Sequence, residues 1–160
     1  MRYKNIKGVY SVEFSIVAAL FFILFFAVIE GARLMYTWNV LTEVTRRGAR
    51  LATVCHITDT APFSPVSDQV FKAATFADDA LIPISDAPNV NVTISYLGFA
   101  GAPASSFSEI RLVRAEIKDY QHRLLIPFFS ITLNSPSFST TLPAESLGVT
   151  RFGFTDCNEI

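Results

Sequence analysis

Few side chains in this sequence are placed to do chemistry, and the most unusual of them is an acid inside a hydrophobic run. His56 and His122 are the two histidines, and no Gly-x-Ser-x-Gly, Walker A or His-Glu-x-x-His pattern accompanies them. Cys55 and His56 are adjacent, but nothing completes a ligand set at zinc spacing. Asp78-Asp79 read as the water-facing end of a helix, and the serines of 135–146 as strand and turn composition. Asn91-Val92-Thr93 fits a glycosylation acceptor, a weak pattern. The sequence therefore predicts no catalytic residue, no metal and no cofactor. Glu13 and the pair Cys55 and Cys157 are left to explain.

Glu13 sits in a segment that reads as a membrane anchor. No residue from Phe14 to Ile29 is charged, and Ile16 to Ile29 is unbroken hydrophobe. Counted from Val9, the run has 21 residues interrupted only by Ser11, Glu13 and Ser15. As a helix it measures about 31 Å, close to the roughly 30 Å of bilayer hydrocarbon. A buried core helix of that length needs a polar stripe, and this one has none. Within such a run a carboxylate costs roughly 2.5–3.5 kcal/mol at a helix centre and less near the interface. Glu30 marks the outer interfacial boundary.

The overall charge of −1 conceals an asymmetry. Residues 1–55 hold seven Lys/Arg against three acids, and residues 56–160 hold six against eleven. Met1 to Gly8 carries Arg2, Lys4 and Lys7 without an acid, which predicts a cytoplasmic N-terminus and an exported C-terminal domain. Arg46, Arg47 and Arg50 lie on the other flank, near the limit of the window in which such charges count. The outer part has no basic cluster that suggests nucleic-acid binding. In an oxidising compartment a Cys55–Cys157 disulfide is the economical reading; two unpaired thiols or a bond between subunits are the alternatives.

The elements that position these residues follow from periodicity. Leu34, Trp38, Leu41, Val44, Gly48 and Leu51 recur at three- and four-residue steps, and no Pro occurs from Val9 to Val54. One continuous helix is expected, apolar all round in its first half and one-sided in its second. Trp38 and Tyr36 belong to the domain core or an aromatic belt. After a Pro-broken loop, Ser67 caps a second helix to about Ala80, ended by Pro83 and Pro88. Alternation predicts strands over Asn89–Tyr96, Glu109–Tyr120 and Phe138–Leu142. Leu124 to Phe129 is too apolar to be exposed, and Pro127 argues for an edge or a bend. The fold class is α+β: a long N-terminal helix packed by its second half on a small antiparallel sheet, with one extra helix. The organisation is a leader over 1–8, a transmembrane helix over 9–30, its continuation over 31–55 and a domain over 56–160.

The leader is too short and polar for an ordinary secretory signal, and no convincing A-x-A follows. It ends at Gly8, directly before the hydrophobic run, and Glu13 is the fifth residue after it. This arrangement resembles the class III signal of type IV pilin-like proteins, in which a prepilin peptidase cuts after Gly and leaves the helix attached. Mapped here, the mature chain begins at Val9. Ser11-Val12-Glu13-Phe14, Ile29-Glu30-Gly31-Ala32-Arg33 and Arg47-Gly48-Ala49-Arg50-Leu51-Ala52 together resemble the TadE-like family. These are minor pseudopilins of the tight-adherence (Flp, type IVc) pilus system. The resemblance spans about residues 8–54, and a strand leading into Leu124–Phe129 matches more loosely. Major Flp pilins tend to have Tyr where Phe14 stands, and they lack an outer domain, which points to a minor subunit.

The resemblance implies a structural, non-enzymatic subunit of the bacterial inner membrane, with one pass and a periplasmic domain, able to enter a surface pilus. Implied partners are the prepilin peptidase, other pilins or pseudopilins, the inner-membrane assembly platform and membrane lipid. It assigns Gly8 and Val9 to processing and Glu13 and Phe14 to assembly. Glu13 either neutralises the α-amino group at Val9 of a neighbour or is solvated among headgroups. Arg47, Gly48, Ala49 and Arg50 form either a contact with a subunit or lipid, or a solvated face beside a close-packed Gly-Ala patch. The competing readings are a bitopic binding module or enzyme unrelated to pili, and a conventionally secreted protein.

Overall fold

The computed structural model describes residues 9–76, 91–126, 129–155 and 157–158, the side chains of 126, 129 and 130 excepted. Helix α1 runs unbroken from Val9 to Val54, 46 residues, or about 69 Å at 1.5 Å per residue. It has two halves. Almost every side chain from Val9 to Ile29 is exposed, and this stretch is long and apolar enough to cross a membrane. Beyond it the buried positions are Thr37, Leu41, Val44, Thr45, Gly48, Ala49, Ala52 and Thr53, a stripe at three- and four-residue steps.

Three of those buried positions are threonines. Each hydroxyl is satisfied within the helix: Thr37 donates to the Arg33 carbonyl at 2.9 Å, Thr45 to Thr42 at 2.8 Å and Thr53 to Arg50 at 2.7 Å. A back-bonded Thr presents mainly its methyl group to the core, so it packs without an unsatisfied polar atom. Thr45 also shares a 2.9 Å hydrogen bond with Thr140 of the sheet.

That sheet has three antiparallel strands in the order β1-β2-β5: β1 (Val92–Leu97), β2 (Leu112–Ile117) and β5 (Phe138–Pro143). On β2 the side chains of Val113, Ala115 and Ile117 are buried, and those between them are half-buried. Leu41, Val44, Ile117 and Tyr120 form one core cluster, flanked by Trp38 and Phe138. Ala52, Ile57, Tyr96, Ile110, Val113 and Leu147 belong to another, farther along the helix. Tyr96 donates to the Ala52 carbonyl at 3.2 Å, and burial pushes its hydroxyl far above the usual range, so it stays a neutral donor.

Strands β3 (Gln121–Ile126) and β4 (Phe129–Asn134) form a separate antiparallel ribbon against α1, and β6 (Val149–Thr150) pairs with β7 (Gly153–Phe154) near the C-terminus. The architecture is α+β, as the patterning predicts. Several local expectations change. The strand expected over Glu109–Tyr120 is shortened to Leu112–Ile117, because Asp119 takes a left-handed φ of 57° and turns the chain from β2 into β3. A 3-10 turn at Phe107–Glu109 precedes it. Helix α2 is only Gln69–Ala74, and Phe76 at φ 53° breaks the helical path before either proline. Asp68 rather than Ser67 occupies the N-cap, although the Ser67 hydroxyl accepts from the Gln69 N–H at 3.2 Å. The expected continuation to Ala80, with Asp78-Asp79, lies outside the described residues. Of the Leu124–Phe129 segment expected to be hidden, Leu124 is half-buried and Leu125 is 62% exposed, and the burial of 126–129 lies outside what is described.

The end of α1 is strapped by the C-terminal tail. Cys55 and Cys157 form a disulfide across 102 positions of sequence. The His56 N–H donates to Thr155 at 3.1 Å and the Leu147 N–H to Thr53 at 2.9 Å. Gly148, at φ +81°, passes so close that a Cβ there would lie 2.3 Å from the His56 Cα. Closing a loop of about 100 residues restricts the unfolded chain enough to contribute about 2–4 kcal/mol. Replacing Cys55 and Cys157 together by Ser should lower stability by about that amount in chemical denaturation, without moving the helical circular-dichroism spectrum at rest.

Gly48 is the closest approach in the middle of the helix. A Cβ there would sit 3.4 Å from the Ala74 Cβ and 3.6 Å from the Ala115 Cβ. An added methyl fits at van der Waals contact; a larger side chain does not. Gly48→Ala should be neutral or gain up to about 1 kcal/mol through helix propensity. Gly48→Leu should cost about 1–3 kcal/mol. Thermal unfolding in detergent reads both, and a Leu variant as stable as the parent would refute the packing.

Candidate functional site

The surface of α1 from Val9 to Ile29 is the largest unpaired feature of the described chain. Val12, Phe14, Ile16, Leu20, Phe21, Leu24, Phe25 and Val28 all lie exposed on it. Phe21 stacks on Phe25 at 6.2 Å and Phe22 tilts against Phe26 at 6.5 Å, the i,i+4 neighbours of a helix surface. Each such side chain is worth about 1.5–3 kcal/mol when taken out of water, so this surface requires lipid or other helices around it. Glu13 and Phe14 are exposed near its start, and among the described residues no hydrogen bond or ion pair reaches the Glu13 carboxylate. Val9 is the first described residue; Gly8 lies outside.

At the other end of the apolar stretch the chain builds a polar junction. Glu30 is 7% exposed and accepts from the Arg33 guanidinium at 3.0 and 3.2 Å. The same Glu30 oxygen accepts the Leu125 N–H of β3 at 3.1 Å. Arg33 in turn donates to the Arg123 carbonyl. Two side chains one turn apart on α1 thus hold two backbone groups two residues apart on β3. The sequence reading of Glu30 as a boundary misses this second role. Its signal is an acid and an arginine at i,i+3 immediately after an apolar run, a pair that can satisfy itself and a third group together.

The 47–50 segment divides. Gly48 and Ala49 are buried inside the chain, against α2 and the sheet. Arg47 lies over the Phe76 ring at 4.6 Å, and Arg50 is exposed. Gly48 and Ala49 are therefore packed within the chain. The histidines are also in separate surroundings: His56 stacks on Phe154 at 4.1 Å, and His122 is fully buried beside Tyr120. Near the far end, the Glu109 carboxylate accepts from the Ser105 hydroxyl at 2.7 Å and its N–H at 3.0 Å, which holds it below the usual carboxylate range. That acid staples its own loop.

Residues 8–50 match the TadE-like protein family. No curated protein and no solved structure matches the chain. The TadE-like match covers the apolar surface, the Glu30–Arg33 clamp and the helix as far as Arg50. It stops short of α2 and every strand.

The clamp makes a prediction. Glu30→Leu leaves the Leu125 N–H without its acceptor and removes the Glu30–Arg33 ion pair, a cost of about 1–3 kcal/mol. Hydrogen–deuterium exchange should accelerate through β3 and β4 while β1, β2 and β5 keep their protection. Unchanged exchange at Leu125 would show that the clamp does not hold the ribbon.

Proposed function

We propose that this chain is a minor pilin-like structural subunit that assembles through its N-terminal helix into, or primes, a Tad-type pilus or related secretion apparatus. The observation that carries the reading is the match of residues 8–50 to the TadE-like family, laid over a helix whose first half is exposed on all sides. A passive anchor needs only apolar side chains. Here an acid stands among them, with no partner among the described residues, five residues after a Gly that closes a basic leader.

On this reading the prepilin peptidase cuts between Gly8 and Val9, with the leader in the cytoplasm and the folded domain in the periplasm. The exposed α-amino group of Val9 on one subunit is the counter-ion for Glu13 of its neighbour. Such a pair satisfies two charges at the lipid edge together and sets the axial register of adjacent helices. Other pseudopilins and the inner-membrane platform are the partners. A second reading, an anchored binding module, draws on Phe99 and Phe152, which are 93% and 94% exposed.

Processing separates the two. N-terminal sequencing and intact mass of membrane-purified protein should give a chain that begins at Val9. Retention of Met1–Gly8 in a host with active prepilin peptidase would sink the pilin-like mechanism. Glu13→Ala should leave membrane insertion intact and abolish assembly or partner co-purification. Normal piliation in that variant would make the carboxylate incidental.

A further inference from the structure

The β3–β4 ribbon is oriented by the clamp. Arg33 holds the carbonyl of Arg123, and Glu30, one turn nearer the apolar half of α1, holds the N–H of Leu125. The strand therefore runs antiparallel to the helix and advances toward the membrane-spanning stretch as it proceeds. Beyond Leu125 it reaches Ile126, which pairs with Phe129 to end the ribbon. The end of the ribbon thus lies at or beyond the level of Glu30, where the uncharged helix surface begins.

Polarity is graded along the ribbon in the same direction. The pair farthest from that end is Gln121 with Asn134, and Arg123 pairs with Thr132. Leu124 then pairs with Ile131, and Ile126 with Phe129. No charged residue occurs from Leu124 through Asn134. Leu124 is half-buried and its cross-strand partner Ile131, on the same face, is 45% exposed, while Leu125, on the opposite face, is 62% exposed. Both faces of the ribbon near its apolar end thus present apolar side chains that the chain itself leaves uncovered. Arg123, the last charge before the apolar end, is exposed one register step behind them, where a headgroup phosphate would meet it.

We infer that the β3–β4 ribbon is a second membrane contact: its end enters the interfacial layer of the same bilayer that α1 crosses, with Leu125 and Ile131 against acyl chains and Arg123 at the phosphates. This rests on the reading of Val9–Ile29 as a membrane span. Continuity favours lipid as the occupant, because the ribbon is hydrogen-bonded to Glu30, the residue directly after the apolar stretch, and reaches its level. On the edge of β3 that faces α1, the Arg123 carbonyl and the Leu125 N–H are held by Arg33 and Glu30. The contact fixes the tilt of the domain above the membrane, which a single helix alone leaves free.

The test uses the full chain in nanodiscs that hold one copy each, made from phosphatidylethanolamine and phosphatidylglycerol. Trp38 is the one native tryptophan. Among the described residues its indole N–H makes no hydrogen bond, so Trp38→Phe provides a dark background. Onto it are placed Leu125→Trp, Ile131→Trp and, as a reporter of the span, Val17→Trp. Lipids brominated near the glycerol end should quench the two ribbon reporters by about half, and more than lipids brominated near the chain end, since the interface is their depth. The Val17 reporter should favour deep bromines. Ribbon emission that is red-shifted and unquenched, beside a quenched Val17 reporter, would place the ribbon in water and overturn the proposal alone. Emission that shifts to the blue only when several copies share a disc would assign these residues to a neighbouring subunit and overturn it equally. An unquenched Val17 reporter would remove the span itself, and both readings with it.

Discussion

One constraint organises the molecule: a single helix must be solvated by lipid at one end and form the core of a water-soluble fold at the other. Its 46 residues contain no break at which the two demands could be separated. Apolar side chains cover every direction up to Ile29, and from Thr37 the buried positions narrow to one stripe. Because the backbone is continuous, the stripe fixes which way the sheet and ribbon stand relative to the faces of the apolar half. A rotation or axial shift of that half is passed to the whole domain without loss in a flexible joint.

The domain meets this rod at three levels, by three kinds of interaction. At the bottom, Glu30 and Arg33 hold backbone groups of β3. About 27 Å higher, by 1.5 Å per residue, Gly48 lets α1 approach Ala74 and Ala115 closely. A further 10 Å or so along, Cys55 is bonded to Cys157 and the tail is wrapped over the helix end. The order matches what each environment allows. A partly desolvated ion pair with extra hydrogen bonds is directional where apolar packing cannot distinguish lipid from protein. Close packing suits the wholly protein-lined middle, and a covalent closure suits the end, where the chain would otherwise fray.

Much of this was legible in the residues. The length of α1, its change from all-round to one-sided burial, the α+β class and the alternating strands β1 and β2 follow from hydrophobic periods that tertiary contacts do not disturb. Three things were not legible, for separate reasons. Thr37, Thr45 and Thr53 read as polar, yet hydrogen bonds to helix carbonyls turn them into core residues. Asp119 and Phe76 adopt positive φ without glycine, so no local signal announced the turn after β2 or the early end of α2. Leu125 was expected inside because it is apolar, but its exposure is set by what lies beside the ribbon, which a single-chain hydropathy argument leaves out. The same limit applied to Glu30: its position gave a boundary, and only the fold brought β3 to it.

The two acids that bracket the apolar stretch then acquire opposite meanings. Glu30 has an arginine and a backbone N–H from its own chain, so a neighbouring subunit could gain little by approaching it. Glu13 has no such partner among the described residues, so it retains the full incentive to find one in another molecule. On the proposed function, attraction between subunits is concentrated at the inner end of the helix, while the outer end is committed to holding the domain. A second helix packing along Val9–Ile29 must also avoid the side of α1 taken by the ribbon at Glu30 and Arg33. The depth of a contact is thereby chosen by Glu13, and its azimuth is restricted by β3 and β4. Register and direction together define a helical assembly, and neither is supplied by the apolar surface alone.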